Sequence, residues 1–172
     1  MCCNGKISVS ADALRTHLDY TIWASRRLLQ AAAQLSDEEL NRDFGTADRS
    51  VLGALTHVYR ADQAWLARIT SNPNPQFPAE TSLAALQIEW PALHERWKEW
   101  ALGLTDQAAL AEIVYQDLKG RTWKQPLWQL VLHNVNHGTH HRGQVSGFLR
   151  AMGHAPPQLD LVLYYRELSG AA

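Results

Sequence analysis

Cysteine is scarce in this sequence and lies at one end of it. The 172-residue chain contains two cysteines, the adjacent Cys2 and Cys3. Neighbouring cysteines cannot cross-link distant parts of a core, and they lack the spacing of zinc-binding or redox motifs. The sequence therefore predicts neither a disulfide framework nor a cysteine metal site, and it favours a reducing cytoplasm. It assigns no role to the cysteine pair itself.

The chain also lacks an excess of charge of either sign. Its 17 acidic and 16 basic residues give a formal net charge of -1 at pH 7. A protein that binds nucleic acid or an anionic membrane surface usually concentrates positive charge. We therefore expect neither nucleic acid nor a membrane as a partner.

Long apolar segments are missing as well. No uncharged apolar run reaches the roughly 20 residues that cross a bilayer, and the N-terminus lacks the apolar stretch of a signal peptide. The sequence thus predicts a cytoplasmic protein that neither spans a membrane nor is exported. Repeats and flexible linkers are also absent, so residues 1–172 are expected to form one domain. Since such a chain can bury a core unaided, any metal it binds is expected to serve function.

What the sequence does contain is helical periodicity. In four segments apolar residues recur every three or four positions, as one buried face of an α-helix requires. Serines before the segments and a proline at the start of the last fit helix starts. The predicted helices run from Ser10 to about Leu35, from Ser50 to Ile69, from Thr81 or Ser82 to Trp100, and from Pro126 to about Met152. Pro91 is expected to kink the third helix or to mark its start. This pattern predicts an all-α helical bundle.

One stretch departs from the helical pattern. Residues 113–115 and 122–123 favour strands, and they flank residues 117–120, which include a turn glycine. We predict a small β-hairpin inserted before the last long helix. Residues 37–45 show little periodicity, and residues 159–168 are apolar enough to pack but too short to classify.

Histidines are concentrated near the C-terminal end of the chain. Four of the eight fall within residues 133–141. At about 100° per residue, His137 and His141 lie about 40° apart, one turn above the other, along one border of the apolar face. Two imidazoles at this spacing can present nitrogens to one ion at about 2.0–2.1 Å. A third ligand must come from another element, and His57 borders the apolar face of the second predicted helix in the same way.

A histidine at a helix edge is more often an ordinary half-exposed residue, so an isolated pair would be a weak indication of metal binding. The cluster together with His57 favours a divalent-metal site formed by His57, His137 and His141. Two further histidines of the cluster are reserve ligands, His133 and His140. The remaining histidines are interpreted as ordinary residues, His17, His94 and His154.

Such a site has the composition of a catalytic one. Three neutral nitrogen ligands leave a coordination position open for water or substrate. Imidazole binds zinc, nickel, iron and copper alike, so the identity of the metal stays open. Zinc is the first expectation, with nickel or iron as alternatives.

Three polar side chains near the histidines are candidate catalytic residues. Asp62 and Arg142 fall inside arcs that are otherwise apolar, and a lone buried charge is costly. We hypothesise that they pair with each other, or that Asp62 accepts the Nδ1 proton of a liganding histidine. Gln144 lies beside His137 on the helical wheel and could orient a bound water or substrate. Gly143, in a helix interior, suggests the close approach of another group.

These residues carry a resemblance to a known family. Residues 136–144 read Asn-His-Gly-Thr-His-His-Arg-Gly-Gln, and residues 55–57 read Leu-Thr-His, followed by Ala-Asp at 61–62 and by Trp65. Together with residues 20–28, these motifs resemble the DinB-like family of metalloenzymes over nearly the whole chain. The resemblance implies a four-helix bundle with a long crossover connection. It also implies a homodimer, because members of the family are often dimeric. It further implies a divalent ion held by His57, His137 and His141.

The resemblance also suggests a chemistry. Better understood members of the family are thiol-dependent transferases and isomerases, so we expect a small-molecule substrate and a low-molecular-weight thiol. The leading hypothesis is attack of a metal-bound thiolate on an electrophile. No motif here selects a thiol or a substrate, and whether the protein is an enzyme stays open.

Three other hypotheses compete with the thiol hypothesis. A metal-dependent hydrolase would use metal-bound hydroxide, but Gly138 stands where a zincin-type helix offers a glutamate base. A stress-associated metal-binding protein would hold the ion without catalysis. A purely structural bundle would bind no metal at all.

Overall fold

The computed structural model describes residues 9–72, 75–78, 81–117 and 119–170. Its elements are α1 (Ala11–Ala32), α2 (Asp37–Asn41), α3 (Val51–Ile69), α4 (Leu83–Leu102), α5 (Asp106–Leu110), β1 (Glu112–Gln116), β2 (Thr122–Pro126), α6 (Leu127–Ala151) and α7 (Leu161–Leu168). The four long helices and the hairpin confirm the predicted fold class. Cys2 and Cys3 lie outside the described residues.

Serine side chains begin three of the long helices. Ser10, Ser50 and Ser82 each accept a hydrogen bond from a backbone N–H three residues further along. Such caps satisfy one of the N–H groups that have no partner in the first turn of a helix. The third predicted helix therefore starts after Ser82. Pro91 lies inside α4, so the alternative that Pro91 marks the start of this helix is wrong.

Two pairs of long helices run antiparallel. Arg15, near the start of α1, donates to the carbonyl oxygens of Ala101 and Leu104 at the end of α4, at 3.2 and 2.7 Å. Along α3 and α6 the numbering runs in opposite directions, because Asp62 contacts Asn134 while His57, earlier in α3, contacts His137, later in α6. In each pair, opposite ends of the two helices therefore lie side by side.

The helices α3 and α4 run parallel, although they follow one another in the chain. Ser50 and Gly53 at the start of α3 and Leu83 and Ala84 at the start of α4 line the same cleft. The connection between the helices must therefore return along the length of the bundle. This confirms the long crossover connection that the family resemblance implied.

The hairpin and three short helices complete the fold. β1 and β2 pair antiparallel, with Glu112 opposite Pro126, and Gly120 adopts a φ of 75° in the turn. The helix α2 was not predicted, because residues 37–45 show little periodicity. Its capping box, in which Ser36 and Glu39 bond each other's backbone N–H, begins a helix too short to show apolar periodicity. The helix α5 was not predicted, and residues 161–168 form α7.

The glycines of α6 correct another expectation. A methyl group at Gly143 would meet no atom within 4 Å, so the predicted close approach at Gly143 is wrong. A methyl group at Gly138 would instead lie 2.7 Å from Nη1 of Arg142. The buried guanidinium folds back over the preceding turn of its own helix, so a side chain at position 138 would force the guanidinium to shift.

None of the helices in the described part of the chain combines the length and the apolarity needed to cross a bilayer.

Substitution of these two glycines tests the packing of α6. We expect Gly143→Ala to raise the free energy of unfolding by roughly 0.5–1 kcal/mol, because alanine is the better helix former. Gly138→Ala brings the same helix preference but displaces Arg142, so it should lower the free energy of unfolding by about 1–3 kcal/mol. Urea unfolding of both variants with a chelator present measures the difference. Equal stabilisation by the two substitutions would contradict the close contact at Gly138.

Candidate metal centre

The structure brings together the three histidines that the sequence singled out. His137 and His141 lie one turn apart on α6, and His57 faces them from α3. Nε2 of His57 lies 3.0 Å from Nε2 of His137. Each of the three rings offers a nitrogen, and these three atoms all lie within 4.8 Å of one another. The three side chains could hold a metal ion.

The donor set fits a divalent ion. Two nitrogens that each lie about 2.0–2.1 Å from a tetrahedral ion are about 3.3 Å apart, close to the separation of the His57 and His137 nitrogens. The ring centroids of His141 lie 4.4 and 4.5 Å from those of His57 and His137. Small side-chain rotations would therefore bring all three nitrogens to one ion.

The surroundings of His137 and His57 favour the neutral form of imidazole, which binds metal. Burial, and then the neighbouring His141 and His57, lower the pKa of His137 to about 4. Burial also lowers the pKa of His57, against the opposing effect of the Asp48 carboxylate. A metal ion competes with protons for imidazole nitrogens, so a lowered pKa favours metal binding near neutral pH.

A carboxylate that the sequence analysis missed lies beside the triad. Oδ2 of Asp48 is 2.9 Å from Nδ1 of His141, and Oδ1 is 3.7 Å from Nδ1 of His57. The Asp48 side chain is only 12% exposed. Because Asp48 lies in the loop before α3, helical periodicity carried no signal for it.

The start of α3 holds Asp48 in place. A methyl group at Gly53 would lie 2.0 Å from the carbonyl oxygen of Asp48, so only glycine allows this approach of helix and loop. The same carbonyl oxygen accepts a hydrogen bond of 2.7 Å from the N–H of Ser50. Arg49, between them, adopts a φ of 62°, which is unusual for a residue other than glycine. A glycine in the first turn of a predicted helix was the available signal for this contact.

Gln144, which the helical wheel placed beside His137, contacts His141 instead. Its Oε1 is 2.7 Å from Nδ1 of His141. Nδ1 of His141 therefore has two oxygen neighbours, from Gln144 and Asp48, and both favour a proton on that nitrogen. A proton on Nδ1 would leave Nε2 free to bind an ion.

Asp62 and Arg142 are buried away from the triad. Asp62 accepts hydrogen bonds from Nε1 of Trp90 at 2.8 Å and from Nδ2 of Asn134 at 2.9 Å. Arg142 donates to Oγ1 of Thr139 at 3.0 Å. Asp62 and Arg142 attract each other through space, but no direct ion pair joins them among the described residues. Both hypotheses about Asp62 therefore need correction, because the contact with a histidine Nδ1 belongs to Asp48.

The other histidines have separate surroundings. His133 packs edge-on against Trp65, with ring centroids 4.9 Å apart. His94 is 1% exposed, and burial lowers its pKa to about 3. Nε2 of His154 lies 2.8 Å from Oε1 of Glu39. Within the described residues, none of these three belongs to a group of at least three clustered metal-ligating side chains.

An open cleft of about 1050 Å³ lies beside the triad. His57 and Asp48 line it, with the loop that follows α2 and the first turns of α3 and α4. Its apolar wall is formed by leucines, Leu35, Leu40, Leu52 and Leu83. The cleft offers a small molecule both apolar and polar contacts within reach of the histidines.

Known proteins share this fold and sequence pattern. A family model described as the DinB family matches residues 2–168. The chain is 24% identical over 155 residues to Protein DinB of Bacillus subtilis (strain 168), covering 85% of this chain and 90% of that protein. A crystal structure of a DinB-like protein from Bacillus cereus ATCC 10987 superposes with a TM-score of 0.64 at 20% identity, covering 88% of this chain and 99% of that chain. At that identity the structural likeness shows a common fold.

Burial of Asp62 predicts a specific dependence of stability on pH. Burial raises the pKa of Asp62 from 3.8 to about 6, against the opposing hydrogen bonds from Trp90 and Asn134. The folded protein thus prefers the protonated carboxyl, and the stability from this group is complete below about pH 4. It is lost as pH rises to about 6, because the unfolded chain ionises first.

The comparison of the protein with Asp62→Asn isolates this effect, since asparagine does not titrate. Relative to the variant, the unsubstituted protein should lose about 2 kcal/mol of unfolding free energy between pH 4 and pH 6.5. Urea unfolding with a chelator present, at intervals of half a pH unit, gives this difference. A difference that stays constant across the range would show that folding does not shift the pKa of Asp62.

Proposed function

Because the chain belongs to the DinB family, we propose that it binds one divalent metal ion through His57, His137 and His141 and acts on a small molecule with the help of a low-molecular-weight thiol. The observation that carries this proposal is the convergence of three histidine nitrogens beside an open cleft. The reaction class that we propose is S-transfer from the thiol to an electrophile, or isomerisation with the thiol as cofactor.

The chemistry needs an activated thiol at the histidines. A bound divalent ion, with zinc as the first candidate and nickel or iron as alternatives, would lower the pKa of a thiol that reaches it. The chain supplies the neutral imidazoles, and the cleft beside His57 supplies space for both the thiol and the electrophile. Gln144 is close enough to His141 to help orient it.

The hydrolase alternative finds less support in the side chains. A general base must lie within hydrogen-bonding reach of the water that it activates. Asp62 is 2% exposed, and both its oxygens accept hydrogen bonds in the core. Asp48 is the carboxylate near the triad, and it already faces two imidazole nitrogens. We therefore propose supporting roles in the fold for Asp62 and Arg142.

The remaining expectations from the sequence stay predictions. They are a homodimer, a single domain over residues 1–172 and a cytoplasmic location. The alternative to an enzyme is a stress-associated protein that binds metal without catalysis.

Metal content and turnover test the proposed function together. The protein purified without a metal-affinity tag should contain close to one metal ion per chain by elemental analysis. His137→Ala should lose the metal, because two ligands rarely hold an ion. It should also lose S-alkylation of 2-mercaptoethanol by an activated alkyl halide. His140→Ala is the matched control, since it removes an exposed imidazole from the same helix.

The results of these measurements distinguish the competing functional hypotheses. Metal binding without turnover across a panel of thiols and electrophiles would favour a protein that holds metal without catalysis. A protein that binds no zinc, nickel or iron after reconstitution would refute the metal site. Equal loss in His137→Ala and His140→Ala would contradict the assignment of the ligands.

A further inference from the structure

The carboxylate of Asp48 lies close to two of the three histidines. Its two oxygens face different rings. Oδ2 lies 2.9 Å from Nδ1 of His141, whereas Oδ1 lies 3.7 Å from Nδ1 of His57, which is too long for a hydrogen bond but close enough for an electrostatic interaction. These two histidines come from different helices, α6 and α3. One carboxylate in a loop thus contacts both sides of the groove between the helices.

We propose that Asp48 is a positioning residue, which fixes the tautomer and the orientation of His141 and His57 so that their Nε2 atoms face the metal position. The inference rests on the proposed metal site and adds a residue to it. An imidazole whose Nδ1–H points at a carboxylate has an unprotonated Nε2, which is the atom free to bind an ion. Carboxylates that contact metal-bound histidines in this way also raise the basicity of the ligand.

Charge favours the same role. Three neutral imidazoles leave both charges of a divalent ion uncompensated, and a neighbouring carboxylate reduces the net charge of the site to about +1. At 12% exposure the Asp48 side chain is poorly hydrated, so its negative charge acts at short range with little screening. Oδ2 is buried and has no well-aligned hydrogen bond among the described residues. Nδ1 of His141, at 2.9 Å, is the polar atom that this oxygen faces.

The loop around Asp48 is braced by an internal ion pair and packs against α6. Asp43 and Arg49 form a two-pronged ion pair, with Nε and Nη2 of Arg49 at 2.9 and 2.8 Å from Oδ2 of Asp43. Phe44 stacks on Phe148 of α6, with centroids 4.4 Å apart and the rings 7° from parallel. A positioning residue needs such support, because a loosely held carboxylate would not select one orientation of a ring.

The test compares zinc affinity in variants that alter only this carboxylate. In competition with a chromophoric chelator at pH 7.5, Asp48→Asn should bind zinc about 10–100-fold more weakly than the original protein. Asp37→Asn is the matched control, because it removes an exposed carboxylate from the same cleft without touching a histidine, and it should change the affinity less than twofold. Asp48→Glu keeps the charge and should recover part of the lost affinity.

A second measurement works without metal. Two-bond ¹H–¹⁵N correlation spectra of the metal-free protein report the tautomer of each histidine. His141 and His57 should carry the proton on Nδ1, and the Nε2–H form should increase in Asp48→Ala, most for His57, which lacks the additional contact with Gln144. A purely structural role of Asp48 would change unfolding by urea and leave these tautomers unchanged.

Each outcome decides one point. An unchanged zinc affinity in Asp48→Asn, or an affinity in Asp48→Glu no better than in Asp48→Asn, would overturn the positioning role. Unaltered tautomers in Asp48→Ala would overturn it as well, even if the Asn variant folded poorly. If the unsubstituted protein bound no zinc, the proposed function would be refuted. The tautomer measurement would still test the positioning role of Asp48.

Discussion

The hydrogen bond between Asp62 and Asn134 sets the register of α3 against α6, and the site depends on that register. Both residues are buried, and Asn134 donates to the carboxylate at 2.9 Å. His57 precedes Asp62 by about 7.5 Å along α3, while His137 and His141 follow Asn134 by about 4.5 and 10.5 Å along α6. In an antiparallel pair these distances run in the same direction. His57 therefore lies at a level between the two histidines of α6, where one ion can reach all three.

A polar group in the core is costly, and its contacts explain why it is tolerated. Asp62 accepts from Trp90 of α4 as well as from Asn134 of α6, and its backbone carbonyl accepts from Nε1 of Trp97 at 3.2 Å. Apolar side chains would pack with similar energy in several registers, whereas a buried carboxylate is satisfied only when its donors meet it. The polar contacts thus specify one arrangement of three helices.

Local signals made much of this molecule predictable. The long helices follow from apolar periodicity and serine caps, and the histidine triad follows from a spacing of four residues together with an edge position on another helix. Asp48, the partners of Asp62 and the contact between Gly138 and Arg142 were not predicted. Each depends on which groups the tertiary fold brings together, and neither a loop carboxylate nor a buried donor leaves a periodic trace in the sequence. The DinB family motif located the site without revealing the carboxylate that supports it.

The three histidines are not equally exposed, so the triad is more accessible from one side than from the other. The side chain of His57 is 45% exposed, whereas that of His141 is 12% exposed and backed by Asp48. His57 and Asp48 line the cleft, whereas His137 and His141 are not among its lining residues. A small molecule can therefore approach the triad from the α3 side, across His57, while α6 forms the rear of the site. The loop with Asp48 is proposed to orient the histidines, and it also forms a wall of the cleft. The same segment would therefore affect both the geometry of the metal ligands and the choice of substrate that fits the cleft.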